Sequence, residues 1–385
     1  MMITAVLLLV LLGKRATVVT AQSPPATNEA GFRALFGTSD FVAPTCASTK
    51  TVTNAADSGV GTLREALGML EAQQPDTEAT IRCIRIDSSV TQIVLQSSLI
   101  FKGRNVYLFA EDISNPDSFP VVKAPDRAEL LIAEGANDFT IAGIRITNKG
   151  ADRNYDAPRQ VILLKPNRQS NIKASVAFYR VSMEECSNPD EGWFSAVRIE
   201  KNYASQTDSI DVSFWESAFH GNEGSVLECT SSGSYSPIRR VTLKKTLVYG
   251  NRIYDGPDTT IYYAMVNLLQ CGAAINDTTF DSNEASEADC GTAPILRLGG
   301  LEQSERVVVY ESTFQNNHIK AQCGSEEHVI VVSYNVKSVT IEKSIFVGNT
   351  RESIGHGRVT SYDGSALKIT NIHGHTKRVI HGTAL

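Results

Sequence analysis

Hydrophobic and polar positions recur together in the second half of the chain. Five segments align without gaps, and each ends in asparagine: 212–222, 241–251, 273–283, 307–317 and 339–349. Their asparagines are 29, 32, 34 and 32 residues apart. Within each segment apolar and polar residues alternate, which predicts a strand and not a helix. A repeat of about thirty residues that contains two or three such strands is typical of a β-solenoid.

Five positions recur in every copy, and they predict columns of like side chains that stack from coil to coil. In the first copy these positions are Val212, Phe214, Ser217, Phe219 and Asn222. We expect the apolar columns to fill the interior and the asparagines to hydrogen-bond along the stack. Weaker copies at 139–148 and 176–186 extend the prediction to eight or nine coils over residues 80–372.

The outward positions of neighbouring copies carry charges of opposite sign. Lys245 is aligned between Glu216 and Asp277, and Lys343 is aligned beside Glu311. Opposite charges on adjacent strands stabilise a sheet modestly and keep it soluble. We therefore expect these residues to form a solvated wall of the solenoid.

One amphipathic helix is predicted near the front of the chain, in the stretch DSGVGTLREAL at 57–67. Thr62 and Glu65 have the spacing of a capping box. Leu63, Ala66, Leu67 and Leu70 follow at i, i+3, i+4 and i+7, which gives one apolar stripe. A solenoid exposes an apolar end, so we expect this helix to cover the first coil.

The stretch TVTNAADSGVGTLREAL at 51–67 resembles the N-terminal motif of many secreted proteins of the pectin-lyase-like superfamily. The resemblance implies an all-β fold: a single-stranded right-handed parallel β-helix of about eight or nine coils with an N-terminal amphipathic capping helix. Members of the superfamily include polysaccharide lyases, glycoside hydrolases, adhesins and surface proteins. The motif implies a fold and a starting point, and it does not imply an activity.

The N-terminus predicts secretion to the extracellular space or the cell surface. Residues 1–21 form a signal peptide with cleavage before Gln22. Lys14 and Arg15 follow the apolar run instead of preceding it, so an uncleaved signal anchor is the alternative. The predicted order is then a leader at 22–45, a cap at 46–79, the β-helix at 80–372 and a tail at 373–385. No later apolar segment is long enough to span a membrane.

Seven cysteines fit an oxidising compartment, and the odd number leaves one outside intramolecular pairs. Cys290 and Cys323 follow their ladder asparagines by seven and six residues, so they are expected at matching places on successive coils. Cys46 with Cys83 would tie the cap to the first coil. Cys229 with Cys271 is a further suggestion, which leaves Cys186 over. Asn276 begins the only glycosylation sequon.

The net charge and the sequence motifs limit the ligands and reactions that we expect for this chain. The formal net charge is -6 with no basic cluster, which argues against nucleic-acid binding. A lyase or galacturonase needs clustered carboxylates near a basic residue, and the chain has no Asp-Asp pair. We interpret Gly355-His356-Gly357 and the following Lys368 as coincidental, and His373, His375 and His381 as a solvated tail. No metal site or cofactor is predicted, and the catalytic residues are unknown.

Candidate ligand-binding residues lie where the repeat is irregular. Aromatic residues beside carboxylates can stack on and hydrogen-bond a sugar. The candidates are Trp193, Tyr254, Asp255, Asp258 and Tyr262 in loops, and Arg198, Glu200 and Arg297 on a possible outward face. The alternative is that the loops simply cover the coils.

The sequence favours a monomeric secreted or surface β-helix that binds an extracellular glycan or another surface component without catalysis. The alternative function is a polysaccharide lyase or glycoside hydrolase that acts on uronate-type polymers.

Overall fold

The structure, a computed structural model, describes residues 32, 42–72, 80–126, 128–149, 160–165, 174–187, 194–200, 210–229, 239–254, 264–268, 271–286, 294–299, 306–320, 329–332, 338–349, 366–370 and 373–374. These residues form a parallel β-solenoid, as the repeat predicted. Apart from Phe32, which is helical, the described part contains the α-helix α1 (Leu63–Ala72) and a short 3-10 helix (Pro116–Ser118).

Each coil contributes strands to long parallel sheets. Sheet A contains β1 (Ser48–Val52), β2 (Arg82–Ile86), β5 (Arg104–Ala110), β8 (Asn137–Ala142), β11 (Ala174–Tyr179), β14 (Ile210–Trp215), β17 (Arg239–Lys244), β21 (Gly272–Asn276), β25 (Arg306–Tyr310), β29 (Ser338–Glu342) and β31 (Ala366–Thr370). Sheet B contains β3 (Gln92–Val94), β6 (Val121–Lys123), β9 (Arg145–Thr147), β12 (Ser182–Glu184), β15 (Ala218–His220), β18 (Leu247–Tyr249), β22 (Thr279–Asp281), β26 (Thr313–Gln315), β30 (Ile345–Val347) and β32 (His373–Gly374).

Two smaller sheets complete the coils. Sheet C contains β4 (Leu99–Phe101), β7 (Leu131–Glu134), β10 (Gln160–Lys165), β13 (Ser195–Ile199), β16 (Ser225–Cys229), β20 (Val266–Leu268), β24 (Leu296–Leu298) and β28 (Ile330–Val332). Sheet D contains β19 (Arg252–Tyr254), β23 (Glu284–Ser286) and β27 (His318–Lys320). The predicted eight or nine coils differ slightly from the eleven, ten and eight strands of sheets A, B and C.

The predicted columns form the interior. Val212 pairs with Val241, and the weaker upstream copy is in register because Val176 pairs with Phe139 and Val212. The rings of Phe280, Phe314 and Phe346 stack with centroids 4.5 and 4.9 Å apart. These registers confirm that the recurring apolar positions build the core.

The asparagine column is a hydrogen-bonded ladder. The Nδ2 atoms of Asn222, Asn251, Asn283 and Asn317 each donate to Oδ1 of the asparagine on the next coil, over 2.8 to 3.0 Å. These four side chains are buried. The backbone turns just before the ladder are left-handed at Ser282 and Asn316, with φ of 53° and 52°.

The corner between sheets A and B carries the charged wall, and part of the prediction for it was wrong. The wall residues all have a left-handed backbone conformation, with φ between 48° and 52°. They are Arg180, Glu216, Lys245, Asp277, Glu311 and Lys343. Lys343 Nζ lies 3.2 Å from Glu311 Oε1 at the exposed end. Glu216, however, is buried and not solvated. It accepts hydrogen bonds from Arg180 Nε and Tyr179 Oη at 3.0 Å, and Arg180 also donates to the carbonyl of Ile113.

Helix α1 covers the first coils as expected. The apolar stripe of Leu63, Ala66, Leu67 and Leu70 is buried, and Leu63 and Leu67 contact the same interior as Leu99 and Phe139. The capping differs in one detail, because Glu65 Oε2 accepts from the backbone N–H of Gly61 and not from that of Thr62.

Arg64 ties this cap to the following coil. Its guanidinium lies 2.7 Å from Asp57 Oδ1 and donates to the carbonyls of Ser97 and Ser98. Gly61, with φ of 78°, brings its turn so close to Thr53 that a Cβ atom would clash. The DSG turn and the Leu-Arg-Glu helix therefore form one hydrogen-bonded unit.

Two disulfides join described residues, Cys46–Cys83 and Cys229–Cys271, both in the pairing suggested by the sequence. Cys186 is a buried cysteine outside these two disulfides. Cys290, Cys323, His356, His375 and His381 lie outside the described residues.

Sheet B extends into the predicted C-terminal tail. His373 and Gly374, predicted to begin the tail, pair with Ile345 and Phe346 and so add one strand to sheet B. Among the residues that the structure describes, no helix has the length and apolar character needed to cross a membrane.

Candidate binding face

The outer side of sheet A from β11 to β29, here called the A face, has a floor of small side chains. Strand alternation sends every second residue outward, and the parallel register aligns these residues across six strands. The floor residues are Ala177, Ser213, Thr242, Ala274, Val308 and Thr340, all half-buried. Because none of them is long, the floor is flat.

Aromatic and basic side chains border one side of this floor. The border column contains Trp215, Lys244, Asn276, Tyr310 and Glu342. The Trp215 residue is 36% exposed, and Lys244 Nζ lies 5.2 Å from the centre of its ring. Lys343 Nζ lies 4.7 Å from the ring centre of Tyr310, three strands away from Trp215. At about 4.8 Å per strand the two rings are about 14 Å apart along the stack.

Two arginines border the other side. Arg240 is the second residue of β17, Arg306 starts β25, and Gly272 starts the strand between them. Both arginines are exposed, and neither forms an ion pair within the described residues. Gly272 adds no side chain, so the guanidinium groups flank a notch about 10 Å wide at the strand spacing. The same column carries one carboxylate, that of Asp211 aligned with Arg240, so the two arginines leave this border with one excess positive charge on a chain with a net charge of -6.

Sheet C contains the predicted Arg198 and Arg297, but not as an accessible pair. They lie in one outward column with Glu228 and Asn267, on four adjacent strands. Arg198 is half-buried, whereas Arg297 is only 3% exposed. Arg297 is thus covered in this structure, and a ligand-binding role for it stays a prediction. Strand alternation indicates which side of a strand a residue is on, and it does not indicate what covers that side.

The other predicted residues are dispersed. Glu200 is half-buried and forms an ion pair with Lys165 on the next strand, with 3.3 Å between Nζ and Oε2. Tyr254 ends β19 and pairs with Ser286. Trp193, Asp255, Asp258 and Tyr262 lie outside the described residues.

Asn276, the predicted glycosylation site, lies in the border column of the A face. Its register partners are Lys244 and Tyr310, and it is half-buried. A glycan on Asn276 remains a prediction, and it would project from the border of the floor.

The sequence contains a signal for the A face. Trp215 and Tyr310 occupy the same outward position of their repeat copies, and Arg240 and Arg306 directly precede the first apolar column. Large aromatics at solvent-facing positions are the readable signal, since packing in the core does not require them there.

Searches against protein-family models, curated proteins and solved structures find no match for this chain. Among the described residues, no group of three or more His, Cys, Asp and Glu side chains has the arrangement of a metal site.

Proposed function

We propose that the protein is a secreted or cell-surface β-helix protein that binds an extended acidic glycan along the A face, without cleaving it. The observation that carries the proposal is Trp215, a large aromatic residue at an outward position, 36% exposed beside a flat floor. Aromatic rings bind the apolar side of a ligand, and polar groups around them fix its orientation.

The shape of the face favours a linear ligand. The floor crosses six strands without a large side chain, and the two bordering aromatics are separated along the stack. A compact ligand would contact only one of these rings. An extended chain that lies across the strands would contact both.

The charges favour an acidic ligand. Arg240 and Arg306 are exposed and have no carboxylate partner in the described part of the chain, so a bound carboxylate or sulfate would supply one. Guanidinium groups match such planar or branched anions with paired hydrogen bonds. The two disulfides support an oxidising compartment, where such polymers occur.

Binding titrations with oligogalacturonides test the proposal, with a neutral oligogalactan as the comparison. We expect Trp215→Ala to weaken oligogalacturonide binding about tenfold, which corresponds to about 1.4 kcal/mol. Arg240→Ala combined with Arg306→Ala is expected to weaken binding and to reduce its salt dependence. The matched control is Ile100→Ala, an apolar side chain that is 53% exposed on sheet C.

Two results would contradict the proposal. One is equal binding by the Trp215 variant and the wild-type protein. The other is the release of unsaturated uronates or new reducing ends during the titration, which would support the alternative of a lyase or hydrolase.

A further inference from the structure

A second pocket lies on the outer face of sheet B, on the same coils as the first strands of the A face but on a different sheet. Four adjacent strands supply its floor, and the 3-10 helix and Phe32 supply its cover. The residues of this Glu184 pocket are Phe32, Pro116, Asp117, Arg145, Ser182, Glu184, His220 and Tyr249.

Its polar side is centred on Glu184. Both oxygens of this carboxylate accept from Arg145, at 2.9 Å from Nε and 3.1 Å from Nη2. His220 Nε2 lies 3.0 Å from Oε2, and the His220 ring stacks on Tyr249 with 5.0 Å between the ring centres. Burial raises the pKa of Glu184, but the hydrogen bonds from His220 and Arg145 outweigh burial and leave that pKa below its ordinary value. The group is therefore a carboxylate at neutral pH.

Its apolar side holds the ring of Phe32. This ring meets Phe119 edge-on, with 6.4 Å between the centroids, and it belongs to one buried cluster with Ala218, Leu247 and Tyr249. The Phe32 residue is 6% exposed. A cavity of about 30 Å³ remains beside it, which is enough for one or two water molecules.

Two hydrogen-bonding positions in the pocket remain unused. Ser182 is 1% exposed, and its Oγ has no hydrogen-bond partner within the described residues. A carboxylate offers about four acceptor positions, and Arg145 and His220 use three of those on Glu184. A hydroxyl group both accepts and donates, so one hydroxyl can satisfy Ser182 and Glu184 together.

We propose that the Glu184 pocket binds the ring of a neutral sugar and that Phe32 occupies this ring position until the sugar displaces it. A sugar ring combines an apolar side, which fits against Ala218 and Leu247, with the edge hydroxyls that the polar side requires. The two carboxylates, Glu184 and Asp117, outnumber the one guanidinium, Arg145, which already binds Glu184, so the pocket disfavours a carboxylate on the ligand. This charge balance distinguishes the pocket from the A face. The inference does not rest on the function proposed for the A face.

Isothermal titration at pH 7 with D-glucose, D-galactose and D-mannose tests the proposal, with D-galacturonate and phenol as comparison ligands. We expect Phe32→Ala to bind at least one of the three hexoses ten times more tightly than the wild-type protein, because no side chain must be displaced. Adding Ser182→Ala to this variant should reverse the gain by about tenfold. Val42→Ala, an 86% exposed residue that follows the leader contact, is the matched control and should bind as wild type does.

Two controls distinguish a change in hexose binding at the pocket from a loss of folding and from binding at the A face. Thermal melts identify variants that fail to fold. If Phe32→Ala fails to fold, Phe32→Leu is used in its place, and its hexose affinity is expected to be about three times that of the wild-type protein. A preference for a hexose over D-galacturonate distinguishes this pocket from the A face, which is proposed to bind an acidic ligand. The proposal is overturned if the folded Phe32 variant binds no hexose more tightly than wild type, or if it prefers galacturonate or phenol.

Discussion

Replacing Asn283 with alanine removes the central rung of the asparagine ladder. The Asn283 side chain makes four hydrogen bonds: Oδ1 accepts from Asn251 N and Nδ2, at 3.2 and 3.0 Å, and Nδ2 donates to Val248 O and Asn317 Oδ1, each at 2.9 Å. Each buried hydrogen bond contributes about 1 kcal/mol, and unmatched partners add to the loss. We therefore expect a destabilisation of about 4 kcal/mol.

Urea unfolding followed by far-UV circular dichroism measures this loss, with Asn276→Ala as the matched control. Asn276 is another asparagine of the same coil, but it ends β21 and is half-buried on the outer face. Its replacement by alanine should lower the free energy of unfolding by less than about 1 kcal/mol. Both variants are produced in a bacterial host, so that glycosylation does not contribute. A loss below about 1 kcal/mol for Asn283→Ala would refute the view that the ladder stabilises the coils.

Two further predictions concern the core and the Glu184 pocket. Phe314→Ala opens a cavity between Phe280 and Phe346 and should cost about 3–5 kcal/mol in the same unfolding assay, whereas Val347→Ala, 50% exposed, should cost less than about 0.5 kcal/mol. The folded-state pKa of Glu184 is lowered, so its contribution to stability is present above about pH 4.5 and is lost as the pH falls through the folded-state pKa. The stability difference between wild type and Glu184→Gln should therefore be about 1–2 kcal/mol at pH 7 and should shrink towards pH 3; a constant difference would contradict the assignment.

The repeating part of the fold could be predicted because it depends on local register. Phe314 and Phe346 occupy the same repeat position, and parallel strands stack like positions directly. The capping helix was predictable for a similar reason, since Leu63, Leu67 and Leu70 show their periodicity within one short segment. In both cases the signal and the structure span the same few residues.

The covered sites could not be predicted, because what covers them comes from elsewhere in the chain. Glu216 is buried beside Arg180, and Arg180 donates to the carbonyl of Ile113, 67 residues away in sequence. The position of Phe32 on sheet B has no counterpart in the repeat. The alternation of strand residues predicts which side chains face outward, and it does not predict which outward side chains a distant segment will bury.

The Glu184 pocket could be predicted from the sequence only in part. Glu184 and His220 directly follow the apolar column of Met183 and Phe219, so alignment of the copies places them side by side. The alignment alone did not show that Arg145, on the strand before, would complete the cluster. Their separation of 36 to 39 residues hides the contact from any search for local motifs.

Hydroxyl-radical footprinting with and without an oligogalacturonide tests the central claim most directly, because it reports where the ligand lies. The account predicts that oxidation of Trp215 and Tyr310 falls when the ligand is bound. It also predicts no change for Met69, which is 40% exposed on helix α1. Unchanged oxidation of Trp215 at a saturating concentration of ligand would contradict the assignment of the A face as the glycan-binding surface.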